Sequence, residues 1–179
     1  MSVSNKVFIA TSIDGYIADK EGGIDWLNSI PNPDHEDMGY GDFMHTVDAI
    51  VMGRVTYETV LGFDMEWPFD KPVFVLSNSL KVLPEKLNGK VQLMQGRLTT
   101  ILSEINSKGY NKLYIDGGKT VQGFLQEDLI DEMIITLIPC LLGGGTPLFA
   151  ETTDKLDFAC SSSKLFLDAV VQNHFVRQR

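Results

Sequence analysis

The sequence is poor in the residues that build metal sites and disulfide frameworks. Among its 179 residues there are only two cysteines and three histidines. Cys140 and Cys160 lack the spacing of a zinc site, and the histidines (His35, His45 and His174) form no paired ligand motif. We therefore predict no metal centre, and two free thiols rather than a disulfide, as is usual in a reducing compartment.

Basic residues are scarce as well. The chain has 15 Lys and Arg against 24 Asp and Glu, which gives a formal net charge of −9 and a pI near 4.7. Without a basic run, the chain has no landing surface for nucleic acid or for an anionic membrane, and we predict neither as a partner. An anionic small molecule stays possible because it needs only a few local donors.

Long apolar runs are also missing. The most apolar stretch, residues 133–142, contains Thr136 and Pro139 and is about half as long as the roughly 20 residues that span a bilayer. The N-terminus shows no signal-peptide pattern. We expect a cytoplasmic protein with a single domain over residues 1–179, a length that can enclose a sizeable core.

The sequence does contain a strand followed by paired glycines and a helix. Residues 113–115 form a short apolar run, Gly117 and Gly118 follow at once, and apolar residues then recur at helical spacing from Val121. Such a turn can present a helix N-terminus to a phosphate, because the glycine backbone can be approached closely and free N–H groups point at the anion. An ordinary strand-to-helix turn that binds nothing is the alternative.

Strands and helices alternate through most of the chain. The predicted strands are residues 6–12, 48–52, 71–76, 91–94, 113–115 and 131–139. The predicted helices begin near residues 34, 53 and 98 and after residue 118. This alternation predicts a mostly parallel sheet with helices on both faces. Residues 165–169 and 170–176 are predicted to form paired antiparallel strands at one edge.

Ligands of open α/β sheets bind outside the carboxyl ends of the strands. Four strand ends carry suitable residues here: Ala10 and Thr11, Gly53 and Arg54, Ser77 and Asn78, and Gly117 and Gly118. We predict that these four clusters converge on one crevice.

The first predicted helix carries a candidate acid. Asp34 can cap this helix, which would place Glu36 and Asp37 in its first turn. By helical spacing Asp37 flanks the apolar face and could look into a cleft. The alternative is a first-turn carboxylate that is favoured only by the helix dipole.

Five motifs, in this order, resemble the dihydrofolate reductase-like superfamily. They are residues 8–18, 51–58, 75–78, 115–119 and 141–149. The closer resemblance is to the branch that includes the C-terminal reductase domain of bacterial riboflavin biosynthesis, and it covers nearly the whole chain. It implies a three-layer fold with a mixed, mostly parallel central sheet, helices on both faces and antiparallel C-terminal strands.

The resemblance also implies an NADPH-binding site. The phosphates would contact Gly53, Arg54 and Thr56; the adenosine end would lie near Ser77 and Asn78; the pyrophosphate would be held by Gly117, Gly118, Lys119 and Thr120; and the nicotinamide would lie against Ala10 and Ile17. Arg54 is a suitable partner for a 2′-phosphate. Counting back from Gly53 makes Asp37 the proton donor, whereas aligning Phe43 on the helix aromatic of the family puts Gly39 at that position.

The implied activity is hydride transfer from NADPH to a small heterocyclic substrate. The most similar activity is that of 5-amino-6-(5-phosphoribosylamino)uracil reductase. The alternatives are dihydrofolate reduction and a dinucleotide-binding protein without turnover. Few arginines are available to bind a substrate phosphate, since the chain has only Arg54, Arg97, Arg177 and Arg179. Related reductases are often dimers, so a homodimer through the C-terminal strands and residues 141–149 is expected.

Overall fold

In a computed structural model that describes residues 3–179, the chain forms an eight-stranded sheet, a two-stranded ribbon and four α-helices. The large sheet contains β1 (Ser4–Ser12), β3 (Ala49–Gly53), β4 (Val73–Leu76), β5 (Val91–Met94), β6 (Lys112–Asp116), β7 (Glu132–Ile138), β9 (Phe158–Phe166) and β10 (Val170–Arg177). The ribbon pairs β2 (Tyr16–Ala18) with β8 (Thr146–Pro147). The helices are α1 (Tyr40–His45), α2 (Arg54–Leu61), α3 (Leu98–Ser107) and α4 (Gly118–Gln126), and 3-10 turns cover Asp25–Ser29 and Glu85–Leu87.

The strand order in the large sheet is β5-β4-β3-β6-β1-β7-β10-β9. The strands from β5 to β7 are parallel, whereas β10 and β9 are antiparallel to their neighbours. The predicted mixed, mostly parallel sheet with antiparallel C-terminal strands is therefore confirmed. Because parallel strands need crossover connections, the helices between them lie on the faces of the sheet.

Two hydrophobic cores lie on opposite faces of the sheet. In β3, Val51 faces the core of α3 and α4, while Ile50 and Met52 face the core of α1 and α2. All three side chains are fully buried. Each such burial contributes about 1.5–3 kcal/mol to stability, and burial on both faces explains why these strands read as continuous apolar runs.

The first helix begins later than the sequence predicted. The chain takes a left-handed conformation at Met38 (φ 53°) and at Gly39 (φ 84°), so α1 cannot extend back to Asp34. Asp37 lies before the helix, where its carboxylate accepts hydrogen bonds from the N–H groups of Gly39 at 2.8 Å and Gly41 at 2.9 Å. The carboxylate therefore caps the start of α1 from outside.

The C-terminal hairpin is also displaced from its predicted position. The first strand ends at Phe166, and the predicted strand residues Leu167 and Asp168 form the turn, both at φ 52°. Ala169 completes this three-residue loop, and its N–H donates to the carbonyl of Phe166 at 3.0 Å. The left-handed pair at the centre of the turn matches the twist of the paired strands. Most of the edge strand β9, residues 158–164, was not predicted. Seven of the nine residues of β9 are exposed, and the serines at 161–163 interrupt any alternation of apolar and polar residues.

Within residues 3–179, no helix combines the length and apolarity needed to cross a bilayer. Cys140 and Cys160 are free thiols in this part of the chain. The expected homodimer stays a prediction. Large apolar side chains are exposed in the two segments expected at the interface, namely Leu141, Phe149 and Leu165.

Candidate active site

Two strand–glycine–helix units begin side by side at the same edge of the sheet. β3 and β6 are neighbours, and their register pairs Met52 with Asp116, which brings Gly53 and Gly117 to the same level. α2 and α4 start directly after these glycines, and neither helix has a side-chain cap at its N-terminus. Their first N–H groups, which carry partial positive charge, are therefore available to an anionic ligand.

The two helix starts are packed against each other through threonine hydroxyls. A Cβ atom on Gly53 would stand 2.8 Å from Thr120 Oγ1, and a Cβ atom on Gly117 would come closer still to Thr56 Oγ1. Gly117 also has a φ of 91°, which favours glycine. The absence of side chains here leaves a cradle of backbone N–H groups and hydroxyls, and this donor set fits the phosphates of a dinucleotide.

A cleft of about 950 Å³ runs along this edge of the sheet, which is within the usual range for ligand sites. The residues predicted to bind the cofactor all line it: Ala10, Ile17, Gly53, Arg54, Thr56, Ser77, Asn78, Gly117, Gly118, Lys119 and Thr120. The structure thus brings together residues from four strand ends and from β2, whereas Thr11, which was predicted to reach the crevice with Ala10, is buried and lines a different cavity. Their role as cofactor ligands is a prediction to which this convergence gives a geometric basis.

One end of the cleft is covered by the ribbon of β2 and β8. Ile17 of β2 and Thr146 and Pro147 of β8 pack on the start of α4, because each of them has an atom 3.1 Å from the position of a Cβ on Gly118. Gln122 of α4 donates a hydrogen bond from Nε2 to the carbonyl of Pro147 at 2.8 Å. The ribbon is therefore anchored on the helix whose N-terminus opens into the cleft.

The other end of the cleft carries the residues predicted to bind the adenosine half. Arg54 pairs with Glu58 one turn along α2, with 3.0 Å between Nη1 and Oε1, and both side chains are about half exposed. Such an exposed pair is worth only a few tenths of a kcal/mol, so the guanidinium can exchange Glu58 for a phosphate. Ser77 Oγ accepts hydrogen bonds from two following N–H groups, while Asn78 and Lys119 are exposed.

Asp37 lies outside the cleft. Its side chain is exposed, and the hydrogen bonds from the N–H groups of Gly41 and Gly39 lower the pKa of its carboxyl group. A carboxyl group with a lowered pKa is ionised at neutral pH and has no proton to donate. The geometry offers Asp37 a structural role as the cap of α1 and gives no support to its predicted role as the proton donor.

Asp116 is the acidic side chain that the sequence reasoning missed. It ends β6, immediately before Gly117, and lines the cleft. Burial raises its pKa to about 6, and this outweighs the hydrogen bond from the N–H of Gly117. A carboxyl group with a pKa near neutrality can hold and deliver a proton at physiological pH. The sequence signal was an acid placed directly before paired glycines at a strand end.

Aromatic side chains surround Asp116. The Tyr114 hydroxyl donates to the carbonyl of Phe8 at 2.9 Å, and the rings of Phe8 and Tyr40 pack edge to face with 5.5 Å between centroids. Burial, together with the nearby charge of Asp116, raises the pKa of Tyr40 to about 12. The part of the cleft beside Asp116 is therefore apolar and aromatic, which suits a planar heterocycle.

Comparison with known families agrees with this geometry. The sequence model of the RibD C-terminal domain family matches residues 6–171. The chain belongs to this family. The resemblance found in the motifs is confirmed, and the match of this RibD C-terminal-type domain extends from β1 into β10.

Two relatives cover almost the entire domain. A protein of known structure from Shewanella sp. PV-4, named provisionally as a riboflavin biosynthesis protein, is 53% identical, with a TM-score of 0.95 over 98% of this chain and 99% of its own. The uncharacterized protein YwjB of Bacillus subtilis is 38% identical over 176 residues, which is 96% of each chain. The RibD C-terminal-type domain thus has relatives of its own length.

The fold also matches that of a more distant enzyme. Dihydrofolate reductase from Enterococcus faecalis, in a complex with NADP(H), superposes with a TM-score of 0.67 over 98% of this chain and 97% of its own. At 17% sequence identity this likeness shows the fold alone. The predicted dihydrofolate reductase-like fold of the RibD C-terminal-type domain is confirmed.

Proposed function

We propose that this protein is an NADPH-dependent reductase that transfers a hydride to a planar heterocyclic substrate, with Asp116 as the proton donor. Its family and its related structures indicate a reductase of the RibD type. One observation carries the proposal: the cradle at Gly117 and the protonatable carboxyl of Asp116 are adjacent residues in one cleft. The cleft therefore combines a phosphate site with an acid.

The cofactor half of the proposal is supported by the donors along the cleft. The uncapped starts of α2 and α4 would hold the phosphates, and Arg54 would pair with a 2′-phosphate after leaving Glu58. Ala10 and Ile17 would lie against the nicotinamide. The similar fold of the Enterococcus faecalis enzyme, which was determined with NADP(H), adds support for the same cofactor in this cleft.

The chemistry would be the reduction of a C=N or C=O bond. NADPH held by the cradle and Arg54 would supply the hydride to carbon, and Asp116 would give its proton to the nitrogen or oxygen. The Gly117 N–H, whose nitrogen is 2.8 Å from Asp116 Oδ1, would then stabilise the carboxylate that remains. Asp116 is half-buried, so water that enters the cleft can return the proton after each cycle.

The arrangement of the arginines bears on the substrate. Arg177 and Arg179 pair with aspartates of the turn before β7, at the end of the sheet opposite the cleft, and Arg97 precedes α3. Among the described residues, the cationic side chains that line the cleft are Arg54 and Lys119, and both are needed for cofactor phosphates. A pyrimidine-type heterocycle, related to the uracil substrate of riboflavin biosynthesis but without a tightly held phosphate, fits this arrangement best.

Binding and turnover can be tested separately. NADPH and NADH would be titrated while the fluorescence of Trp26 and Trp67 is followed, and NADPH oxidation would then be measured with a panel of aminouracils and with dihydrofolate. Preferred binding of NADPH, with aminouracil reduction that is lost in Asp116→Asn, supports the proposal. Turnover of dihydrofolate alone would identify the second activity. Binding without any turnover would indicate a dinucleotide-binding protein. No binding of either nucleotide would refute both the NADPH site and the reductase activity.

A further inference from the structure

Asp14 joins the two loops that cover one end of the cleft. We name residues 13–24 the cover loop and residues 141–147 the glycine loop. The Asp14 carboxylate accepts hydrogen bonds from Ser12 Oγ at 2.6 Å, from the N–H of Leu142 at 3.1 Å and from the N–H of Gly143 at 2.8 Å. Two of the three donors therefore belong to the glycine loop.

Backbone contacts already bring the two loops into register. The Ile13 N–H donates to the carbonyl of Cys140, and the Leu148 N–H donates to the carbonyl of Gly15, both at 2.9 Å. Gly145 lies so close to Ala18 that a side chain at this glycine would overlap the Ala18 carbonyl. The loops are therefore complementary in shape, and a side-chain contact that holds them together fixes the position of both.

Ile17 lies on the same loop as Asp14. Ile17 lies three residues after Asp14, and its Cδ1 is 3.1 Å from the position of a Cβ on Gly118 at the start of α4. We propose that Asp14 is a positioning residue that clasps the glycine loop and thereby holds Ile17 against the nicotinamide end of the cleft. This inference rests on the proposed NADPH site.

The clasp, by which we mean the hydrogen bonds from Ser12, Leu142 and Gly143 to the Asp14 carboxylate, is present at neutral pH. The hydrogen bonds from Ser12 and from the N–H groups of Gly143 and Leu142 lower the pKa of the Asp14 carboxyl group, so the group is ionised and its hydrogen bonds are charge-assisted. Asp14 is exposed and is not part of either hydrophobic core. Its replacement should therefore leave the fold intact and loosen only the two loops.

Loss of the Asp14 charge and loss of its hydrogen bonds should change the affinity for NADPH in opposite directions. NADPH is an anion, so removal of a negative charge from the cover loop should by itself leave its binding unchanged or strengthen it. Loss of the clasp should weaken binding. Glu21 offers a matched control, because it is exposed at the tip of the same loop and its carboxylate has no hydrogen bond or ion pair within residues 3–179.

The experiment compares Asp14→Ala, Asp14→Asn and Glu21→Gln in the full chain, with two probes. NADPH reports on the whole site, whereas adenosine 2′,5′-bisphosphate reports on the end that carries Arg54 and Ser77. We expect the Kd for NADPH to rise about five- to tenfold in Asp14→Ala, the effect of losing part of a charge-assisted contact, and by less in Asp14→Asn. The Kd for the bisphosphate should not change, and Glu21→Gln should bind both probes at least as well as the wild type.

Hydrogen exchange at the N–H groups of Leu142 and Gly143 provides a second measurement that needs no ligand. We expect faster exchange in Asp14→Ala than in Glu21→Gln. Wild-type affinity for NADPH in Asp14→Ala would overturn the inference, as would equal weakening of both probes or unchanged exchange. Failure of the wild type to bind either probe would instead overturn the proposed function, and with it the positioning role.

Discussion

Thr120 Oγ1 of α4 lies 2.8 Å from the place that a Cβ atom on Gly53 would occupy, at the start of the neighbouring α2. This distance is shorter than an ordinary carbon–oxygen contact, so a side chain fits there only if Thr120 rotates or one of the two helices moves. The contact joins two strand–glycine–helix units that lie far apart in the sequence. It fixes the spacing of the two helix N-termini that form the cradle.

Gly53→Ala should therefore destabilise the protein and open the cradle. Overpacking of a tight contact costs about 1–3 kcal/mol, and we expect a loss of that size in urea denaturation together with weaker NADPH binding. Gly62→Ala is the matched control, because a Cβ at the C-terminal end of the same helix would meet its nearest atom at 3.4 Å. Equal stability of the two variants would show that the contact at Gly53 yields easily.

Arg54 should determine the preference for NADPH over NADH. Arg54→Ala removes the guanidinium that would pair with the 2′-phosphate, and we expect the NADPH affinity to fall about tenfold or more while the NADH affinity stays nearly constant. Titration of both nucleotides measures this ratio. An unchanged ratio in Arg54→Ala would exclude Arg54 as the selecting residue.

Glu58 provides the reverse test of the same site. Its carboxylate lies 3.0 Å from Arg54 Nη1 when no phosphate competes. Glu58→Gln should therefore free the guanidinium and tighten NADPH binding by about twofold, the size of an exposed helix ion pair. NADH binding should stay the same. Weaker NADPH binding in Glu58→Gln would mean instead that Glu58 orients Arg54 for the phosphate.

The sequence predicted the parts of this molecule that local patterns determine. Fully buried strands such as β3 and β6 appear as apolar runs, and Gly53 and Gly117 mark their junctions with helices. The residues of the cleft could be collected in advance because the carboxyl ends of parallel strands meet at one edge of the sheet. Both the fold and the convergence of these residues follow from the order of elements along the chain.

The acid could not be predicted in the same way, because its pKa depends on burial. Asp37 and Asp116 both flank elements that approach the cleft in the predicted topology. In the structure, two left-handed residues separate Asp37 from α1 and leave it exposed, whereas Asp116 is enclosed beside Tyr114 and Gly117. An aspartate carboxyl group therefore has a lowered pKa at position 37 and a raised pKa at position 116.

A substitution in the turn between β9 and β10 should stabilise the protein. Leu167 adopts a left-handed conformation (φ 52°), which costs a non-glycine residue about 1–2 kcal/mol and which asparagine tolerates better. Leu167→Asn should therefore raise the free energy of unfolding by about 1 kcal/mol, measured by urea denaturation. Leu167→Ala is the control, because it removes the same side chain without favouring the left-handed region. A gain in both variants would assign the effect to the lost leucine side chain.

Asp116 should make the stability of the protein depend on pH. The folded state has a pKa of about 6 for this group, against an ordinary value of 3.8, so the folded protein binds the proton more tightly than the unfolded chain does. Stability from this group is fully present below about pH 4 and is lost as the pH rises through about 6. The full difference corresponds to about 3 kcal/mol as an upper estimate.

Asp116→Asn removes this dependence because an amide does not titrate. We expect the variant and the wild type to differ least near pH 4, and the variant to gain stability relative to the wild type up to about pH 7, as measured by urea denaturation across this range. Asp37→Asn should be less stable than the wild type by a constant amount above about pH 4, because the pKa of Asp37 is lowered from its ordinary value of 3.8 and its ionised form stabilises the fold; the difference should shrink only as the pH falls below about 4. A stability difference between Asp116→Asn and the wild type that does not change with pH would mean that the fold does not raise the pKa of Asp116, and a carboxyl group with an ordinary pKa could not serve as the proton donor near neutral pH.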